Sequence, residues 1–189
     1  MKRMAIRIGA LALVVAATAV SVPADQPAGA LSPFKTDLLA SIDDAGKKLV
    51  GLAQAVPADK YAWRPAEGVR SVSEVYMHVV GGNYLIPSFM GVKPPEGIDR
   101  SIETKVTDKA KVVEWLQKSI ADLKKVVETT PDADLDKKVK FFGSERSERA
   151  LLILVCSHMH EHLGQSIAYA RMNKITPPWS ETPATPPAK

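Results

Sequence analysis

The sequence predicts an all-α protein, a four-helix bundle, from three observations. Four segments carry apolar residues at helical spacings of three and four, caps and helix breakers bound these segments, and no convincing set of strands accompanies them. The 189 residues are enough for one domain with a core, and 46% hydrophobic with 24% charged residues is typical of a globular protein. Amphipathic helices without a sheet bury their apolar faces against one another, which gives a bundle.

The first predicted helix begins at Ser32, with Ser32 as its N-cap and Pro33 as its first helical residue, and it ends near Val56-Pro57. Its apolar stripe recurs every three or four residues and consists of Phe34, Leu38, Ile42, Ala45, Leu49 and Leu52.

The second predicted helix begins at Ser71, where Ser71 and Glu74 match an S-x-x-E capping box. Gly81-Gly82 weakens the middle of this helix, and Pro87 predicts a kink or an end. Residues 91–106 contain Pro94-Pro95 and Gly97 and are predicted to be a loop.

The third helix is predicted from about Thr107 to Glu128, with lysine and glutamate opposite its apolar stripe. The following polar stretch contains an apolar patch, Val139 to Phe142, which favours an extended segment. The fourth helix is predicted from about Ser147 to Met172, and Thr176-Pro177-Pro178 lies beyond its end.

The N-terminus is typical of a secretory signal. Basic residues up to Arg7 precede an apolar run from Ile8 to about Val22, and Val22-Pro23-Ala24 offers small residues for cleavage. The alternative is an uncleaved anchor, but about 15 apolar residues are fewer than the roughly 20 that cross a bilayer. We therefore expect a signal peptide at 1–24, a linker at 25–31, the bundle at 32–180 and a disordered tail at 181–189. The mature protein would be periplasmic or extracellular, without a stable membrane anchor.

The charge distribution argues against nucleic acid as a partner. The formal net charge is +4, but Lys2, Arg3 and Arg7 belong to the predicted signal, and 22 basic against 21 acidic side chains remain without them. No basic stripe with interleaved aromatic residues is present. The one cysteine, Cys156, follows an apolar run and predicts a buried, inert thiol, although its closeness to His158 leaves a metal-related role open.

Three of the four histidines lie in the segment His158-Met159-His160-Glu161-His162. On a helix, His158 and His162 differ by only about 40° and lie one turn apart, about 6 Å, so both rings can bind one ion. His160 is about 200° from either and is expected to face solvent. The pair alone leaves open whether these residues are metal ligands or ordinary surface and core histidines.

The fourth histidine, His78, lies in the apolar half of the second predicted helix. If this helix neighbours the last one, His78 completes a site of three neutral nitrogens, which suits zinc with an open position, though nickel or iron is also compatible. Such an ion lowers the pKa of bound water towards neutrality. Glu74, one turn before His78, is a candidate base or an acceptor that orients the ring, and its capping box explains it without catalysis.

Two stretches that contain these histidines resemble the DinB-like superfamily of four-helix bundles. They are Trp63-Arg64-Pro65 with Gly68, Ser71-Val72-Ser73-Glu74 and His78, and then His158-Met159-His160-Glu161-His162-Leu163-Gly164-Gln165 followed by Tyr169, Arg171 and Pro177-Pro178-Trp179. The resemblance covers about residues 32–180. It implies His78, His158 and His162 as metal ligands, an up-down-down-up bundle, and a tendency to form a homodimer.

The resemblance leaves the activity open, because the family includes thiol-dependent S-transferases, isomerases and uncharacterised members. The predicted export favours a metal-dependent hydrolase of unknown substrate, since low-molecular-weight thiols are scarce outside the cytoplasm. The alternatives are a thiol-dependent S-transferase, a non-catalytic metal- or ligand-binding module, and a bundle whose histidines are incidental.

Overall fold

Four long helices dominate the computed structural model, which describes residues 31–99 and 101–180. They are α1 (Pro33–Ala55), α2 (Val72–Ser88), α4 (Lys109–Thr129) and α5 (Glu148–Met172), and each predicted boundary lies within about two residues of these bounds. A short helix, α3 (Ile102–Lys105), and three 3₁₀ turns complete the helical part. The expected signal peptide, nearly all of the linker and the tail lie outside the described residues.

The long helices bury their apolar stripes in one shared core. Helix α1 packs against α4 and α5, and α2 packs against the same two helices, so the order around the bundle is α1, α4, α2, α5. Fully buried side chains come from all four helices, among them Ile42, Met77, Leu116 and Leu152. The mostly helical fold is therefore confirmed, whereas the up-down-down-up order of helix directions stays a prediction. Within the described ranges, no helix has the length and apolar character that a membrane crossing requires.

Helix α2 starts at the predicted capping box. The Ser71 hydroxyl accepts a hydrogen bond from the Glu74 backbone N–H at 3.3 Å, and the Glu74 carboxylate accepts one from the Ser71 N–H at 2.6 Å. Two of the donors that a helix start leaves free are thereby satisfied. Helix α2 runs through Gly81-Gly82. Pro87 lies in its last turn, and the helix ends one residue beyond the proline, at Ser88.

The region predicted as a loop, 91–106, contains α3, and the prediction was incomplete there. Four residues are too few to show helical periodicity, and Pro94-Pro95 and Gly97 dominate the local pattern. The element is held by Ile102, which is only 3% exposed, and it packs against α2. One turn of helix thus places its own side chains beside the middle of α2.

A two-stranded antiparallel hairpin, β1 (Lys138–Phe141) and β2 (Ser144–Ser147), precedes α5. The predicted extended segment at Val139–Phe142 corresponds to β1, and its pairing with β2 was not predicted. Strand β2 reads Ser-Glu-Arg-Ser and has no apolar alternation, so nothing in its pattern indicates a strand. Phe142 and Gly143 form the connecting turn, with φ of 46° and 85°.

Candidate metal centre

Three histidine side chains meet where the middle of α2 faces α5. The His158 and His162 rings lie 4.5 Å apart between centroids, as expected for residues one helical turn apart. The His78 ring on α2 lies 4.9 Å from the first and 4.6 Å from the second. One nitrogen from each ring lies within 4.8 Å of the others, so this group could hold a metal ion.

His78 is oriented by a carboxylate from α3. Its Nδ1 lies 2.6 Å from Oε1 of Glu103, while Oε2 of Glu103 accepts a hydrogen bond from Nε of Arg70 at 2.7 Å. Since a carboxylate only accepts, Nδ1 carries the proton and the Nε2 lone pair is available. A carboxylate behind a histidine in this way fixes the ring and makes it a better ligand.

His162 is oriented by an amide on its own helix. Its Nδ1 lies 2.8 Å from Oε1 of Gln165, whose Nε2 donates to the Tyr169 hydroxyl at 3.0 Å. That hydroxyl in turn donates to the backbone carbonyl of Arg70 at 3.1 Å. Because an amide oxygen only accepts, the proton again lies on Nδ1 and leaves the Nε2 lone pair of His162 free.

One ring nitrogen of His158 has no hydrogen-bond partner among the described residues. Its Nδ1 is buried and makes no hydrogen bond with any described residue, while its Nε2 lies 3.1 Å from Nε2 of His78. Two ligands of a tetrahedral zinc ion, with Zn–N bonds of about 2.0–2.1 Å, lie about 3.3 Å apart. The separation of this one nitrogen pair and the set of three imidazole donors are therefore compatible with one divalent ion of the zinc type.

The surroundings keep two of the three rings neutral. Burial, reinforced by the neighbouring His162 and His78, lowers the pKa of His158 to about 4. Burial also lowers the pKa of His162. Burial would raise the pKa of Glu103, but hydrogen bonds from Arg70 and His78 outweigh it, so this pKa is lowered and the carboxylate stays ionised. At neutral pH, His158 and His162 are therefore unprotonated, which is the form that binds a metal.

Glu74, the sequence candidate for a base or for the residue behind His78, is engaged elsewhere. Its carboxylate caps α2 and contacts the Arg64 guanidinium at 3.2 Å, and the bond from the Ser71 backbone is the main reason that its pKa is lowered. The carboxylate that contacts His78 is Glu103 instead. Glu103 lies 25 residues further along the chain, in the region that the sequence predicts as a loop.

His160 and Cys156 lie apart from the three-histidine group. His160 is exposed, as the helical spacing predicts, and its Nδ1 lies 2.9 Å from the Cys156 backbone carbonyl. Cys156 is a buried free thiol whose Sγ lies 3.4 Å from the Ser41 hydroxyl of α1. Neither residue belongs to the group that could hold an ion.

A cavity of about 740 Å³ opens beside the three-histidine group. His78, His158 and Glu103 line one part of it, and mostly apolar residues from α2, the loop before α3, the hairpin and α5 line the rest. A volume of this order accommodates a small organic molecule. A ligand in this cavity would therefore lie against two of the three candidate metal ligands.

The comparisons with known proteins agree with this architecture. The chain belongs to the DinB superfamily, whose family model matches residues 41–166 and thus includes all three histidines. It is similar to the uncharacterized protein YjoA of Bacillus subtilis (strain 168), with 28% identity over 123 residues, which are 64% of this chain and 78% of that protein.

Two solved structures share the fold. A DinB-like protein of Bacillus cereus ATCC 10987 matches with a TM-score of 0.68 and 19% identity, over 76% of this chain and 95% of its own. The structure of the Bacillus subtilis protein YjoA matches with a TM-score of 0.57 and 23% identity, over 74% and 93%.

Replacement of Glu103 by alanine should weaken metal binding. The loss of the carboxylate behind His78 frees the ring and lowers its basicity, which typically costs about 10–100-fold in affinity. Glu103→Gln should fall between the wild type and Glu103→Ala, because an amide oxygen still accepts from Nδ1. Titration of the metal-free protein with zinc against a competing chelator measures the difference.

The control for this series is Glu74→Ala, which removes a carboxylate of α2 that does not contact the histidines. It should lower the unfolding temperature through the lost cap and leave zinc affinity unchanged. A loss of zinc affinity in Glu74→Ala that equals the loss in Glu103→Ala would contradict the assignment of the orienting role to Glu103.

Gly82 lies so close to His158 that a side chain cannot fit without moving the ring. A Cβ at this position would lie 2.3 Å from Cε1 and 2.6 Å from Nδ1 of His158, whereas a Cβ on Gly81 would meet nothing within 4 Å. We expect Gly82→Ala to reduce zinc affinity by about tenfold, at the lower end of the effect of disturbed ligand orientation. Gly81→Ala should keep the affinity and gain up to about 1 kcal/mol of helix stability. Equal zinc affinities of the two variants would disprove this close packing.

Proposed function

We propose that this protein is exported, binds one divalent metal ion, zinc or nickel, through His78, His158 and His162, and hydrolyses a small substrate in the adjoining cavity. The observation that carries the proposal is the convergence of three imidazoles, at least two of them held neutral, in a group from which His78 and His158 line that cavity. Three protein nitrogens leave a position of a four-coordinate ion free for water or substrate.

The protein's own contribution is to position these nitrogens. Glu103 and Gln165 accept the Nδ1 protons of His78 and His162, so that Nε2 of each ring faces the shared centre. Gly82 gives the His158 ring room against α2. When bound, the ion would supply Lewis acidity that polarises a substrate carbonyl and makes water more acidic.

Hydrolysis requires only water as the second reactant. The water oxygen bonds to the acyl carbon, the bond from that carbon to the leaving group breaks, and a water proton ends on the leaving group. A thiol transferase would instead need a low-molecular-weight thiol, which is scarce where an exported protein works. The proposed export therefore supports hydrolysis over thiol transfer.

Metal content tests the proposed centre directly. Elemental analysis of the mature protein, purified without a metal-affinity tag, should find about one ion per chain, because three histidine nitrogens form a catalytic type of zinc site. The double variant His158→Ala/His162→Ala should contain none. His160→Ala is the matched control, since it removes an exposed histidine of the same helix and should keep the ion.

The outcomes separate the alternatives. An ion in the wild type, together with release of nitrophenol from nitrophenyl esters without added thiol, supports the hydrolase. Turnover only after a thiol is added would replace it by the transferase, and an ion without turnover across a screen would leave a binding module. Absence of any ion after incubation with zinc or nickel would exclude the metalloenzyme.

Export has its own test. The full chain, expressed in a bacterial host, should be recovered from the periplasm or medium with a mass that corresponds to a start at Asp25, because cleavage is expected after Ala24. A Leu11→Arg/Leu13→Arg variant should stay inside the cell, since charges interrupt the apolar run that a signal requires. Recovery of the uncleaved wild-type chain from the cytoplasm would refute the export proposal.

A further inference from the structure

The cavity beside the histidines is apolar over most of its wall. Leu85 and Ile86 of α2, Ile98 before α3, Leu154 of α5, and Phe141 and Phe142 of the hairpin all line it. Leu85, Leu154 and Phe142 are exposed although they are large and apolar. Exposed apolar side chains that converge on one cavity are typical of a binding site rather than of ordinary surface.

The polar lining offers little to an anionic ligand. No described residue of the lining is a lysine or an arginine. The two carboxylates in the lining have partners of their own, since Glu103 contacts Arg70 and His78, and Asp99 contacts Ser101 and Lys105. On the cavity wall away from the histidines, a neutral group would leave these pairs intact, whereas an anionic group would meet no lysine or arginine of the described lining.

Phe142 is held in a backbone conformation that does not suit it. The φ angle of Phe142 is 46°, in the left-handed region that bulky side chains rarely occupy, and Phe142 is 64% exposed. Both central residues of this hairpin turn have positive φ, and in such turns asparagine is preferred at the first position, before glycine. A phenylalanine here costs stability in the backbone and exposes apolar surface to water.

The Phe142 ring remains largely exposed although it contacts two other aromatic rings. It lies 5.1 Å from the Phe89 ring and 4.6 Å from the Phe141 ring, between centroids, and these three aromatic rings form a cluster at the hairpin end of the cavity. A strained residue that lines a cavity has a role that the fold itself does not require. The position of this ring points to contact with a ligand.

We propose that the cavity binds the apolar part of a neutral substrate, with Phe142 and Leu154 as binding residues and the histidines at its polar end. This inference rests on the proposed function and adds the substrate class, a neutral molecule with a substantial apolar group. It predicts that Phe142 is retained for ligand binding at the expense of stability.

The experiment uses the metal-free mature protein, so that binding is separated from activity. The probe is prodan, a neutral naphthalene fluorophore, and its affinity is compared with that of the anionic probe anilinonaphthalene sulfonate. Phe142→Asn should raise the unfolding temperature, because asparagine suits the turn, and should weaken prodan binding by about tenfold. A purely structural role for Phe142 would give the opposite change in stability.

A second pair of variants controls for general surface effects. Leu154 and Ile153 are neighbours on α5 and are 38% and 48% exposed, but only Leu154 lines the cavity. Leu154→Arg should abolish prodan binding, and Ile153→Arg should retain it. Unchanged prodan affinity in both Phe142→Asn and Leu154→Arg would overturn the proposal, as would tighter binding of the anionic probe to the wild type.

The measurements of metal content and of prodan binding distinguish failure of the proposed hydrolase from failure of the proposed substrate class. A protein that contains its ion but does not bind prodan would refute the neutral, apolar substrate and leave the metal-dependent hydrolase standing. A protein that binds prodan in a Phe142-dependent way but never takes up zinc or nickel would keep the cavity as an apolar binding site and remove the hydrolase.

Discussion

The structure depends on one unfavourable arrangement, the close approach of three imidazoles between α2 and α5. Each ring would be better solvated in water, and burial lowers the pKa of His158 and of His162. The bundle holds the rings through the packing of two long helices and through one acceptor behind His78 and one behind His162. Within residues 31–99 and 101–180, Nδ1 of His158 is the ring nitrogen of this group that has no hydrogen-bond partner.

The two acceptors differ in what they can contribute. Gln165 is neutral and lies on the same helix as His162, so it orients the ring without adding charge. Glu103 is ionised and comes from a separate element, so it also draws positive charge towards His78. Glu103 therefore orients His78 and acts on it electrostatically, whereas Gln165 only orients His162. The three candidate ligands are therefore not equivalent, although all are histidines.

Sequence reasoning could find the parts that repeat along one helix. The four long helices and the pairing of His158 with His162 follow from spacings of three and four, and the Ser71 cap follows from its motif. Glu103 could not be found in this way, because a four-residue helix has no period. The sequence signal for this short helix is weak and consists of the spacing of four between Ile98, Ile102 and Val106. From the sequence, Gly82 is expected only to weaken the middle of the second helix. Its close packing against His158 could not be predicted, because a contact between two helices leaves no local pattern in one sequence.

Arg70, the residue before the α2 cap, contacts Glu103 directly and is connected to Gln165 through the Tyr169 hydroxyl. Its guanidinium contacts Glu103, whereas its backbone carbonyl accepts from Tyr169 in the chain that leads to His162. A substitution at this position can alter the first contact and leaves the second in place, because every amino acid has the carbonyl. A mutation of the Arg70 codon can therefore change the contact with Glu103, whereas the contact with Tyr169 depends only on the backbone and is kept.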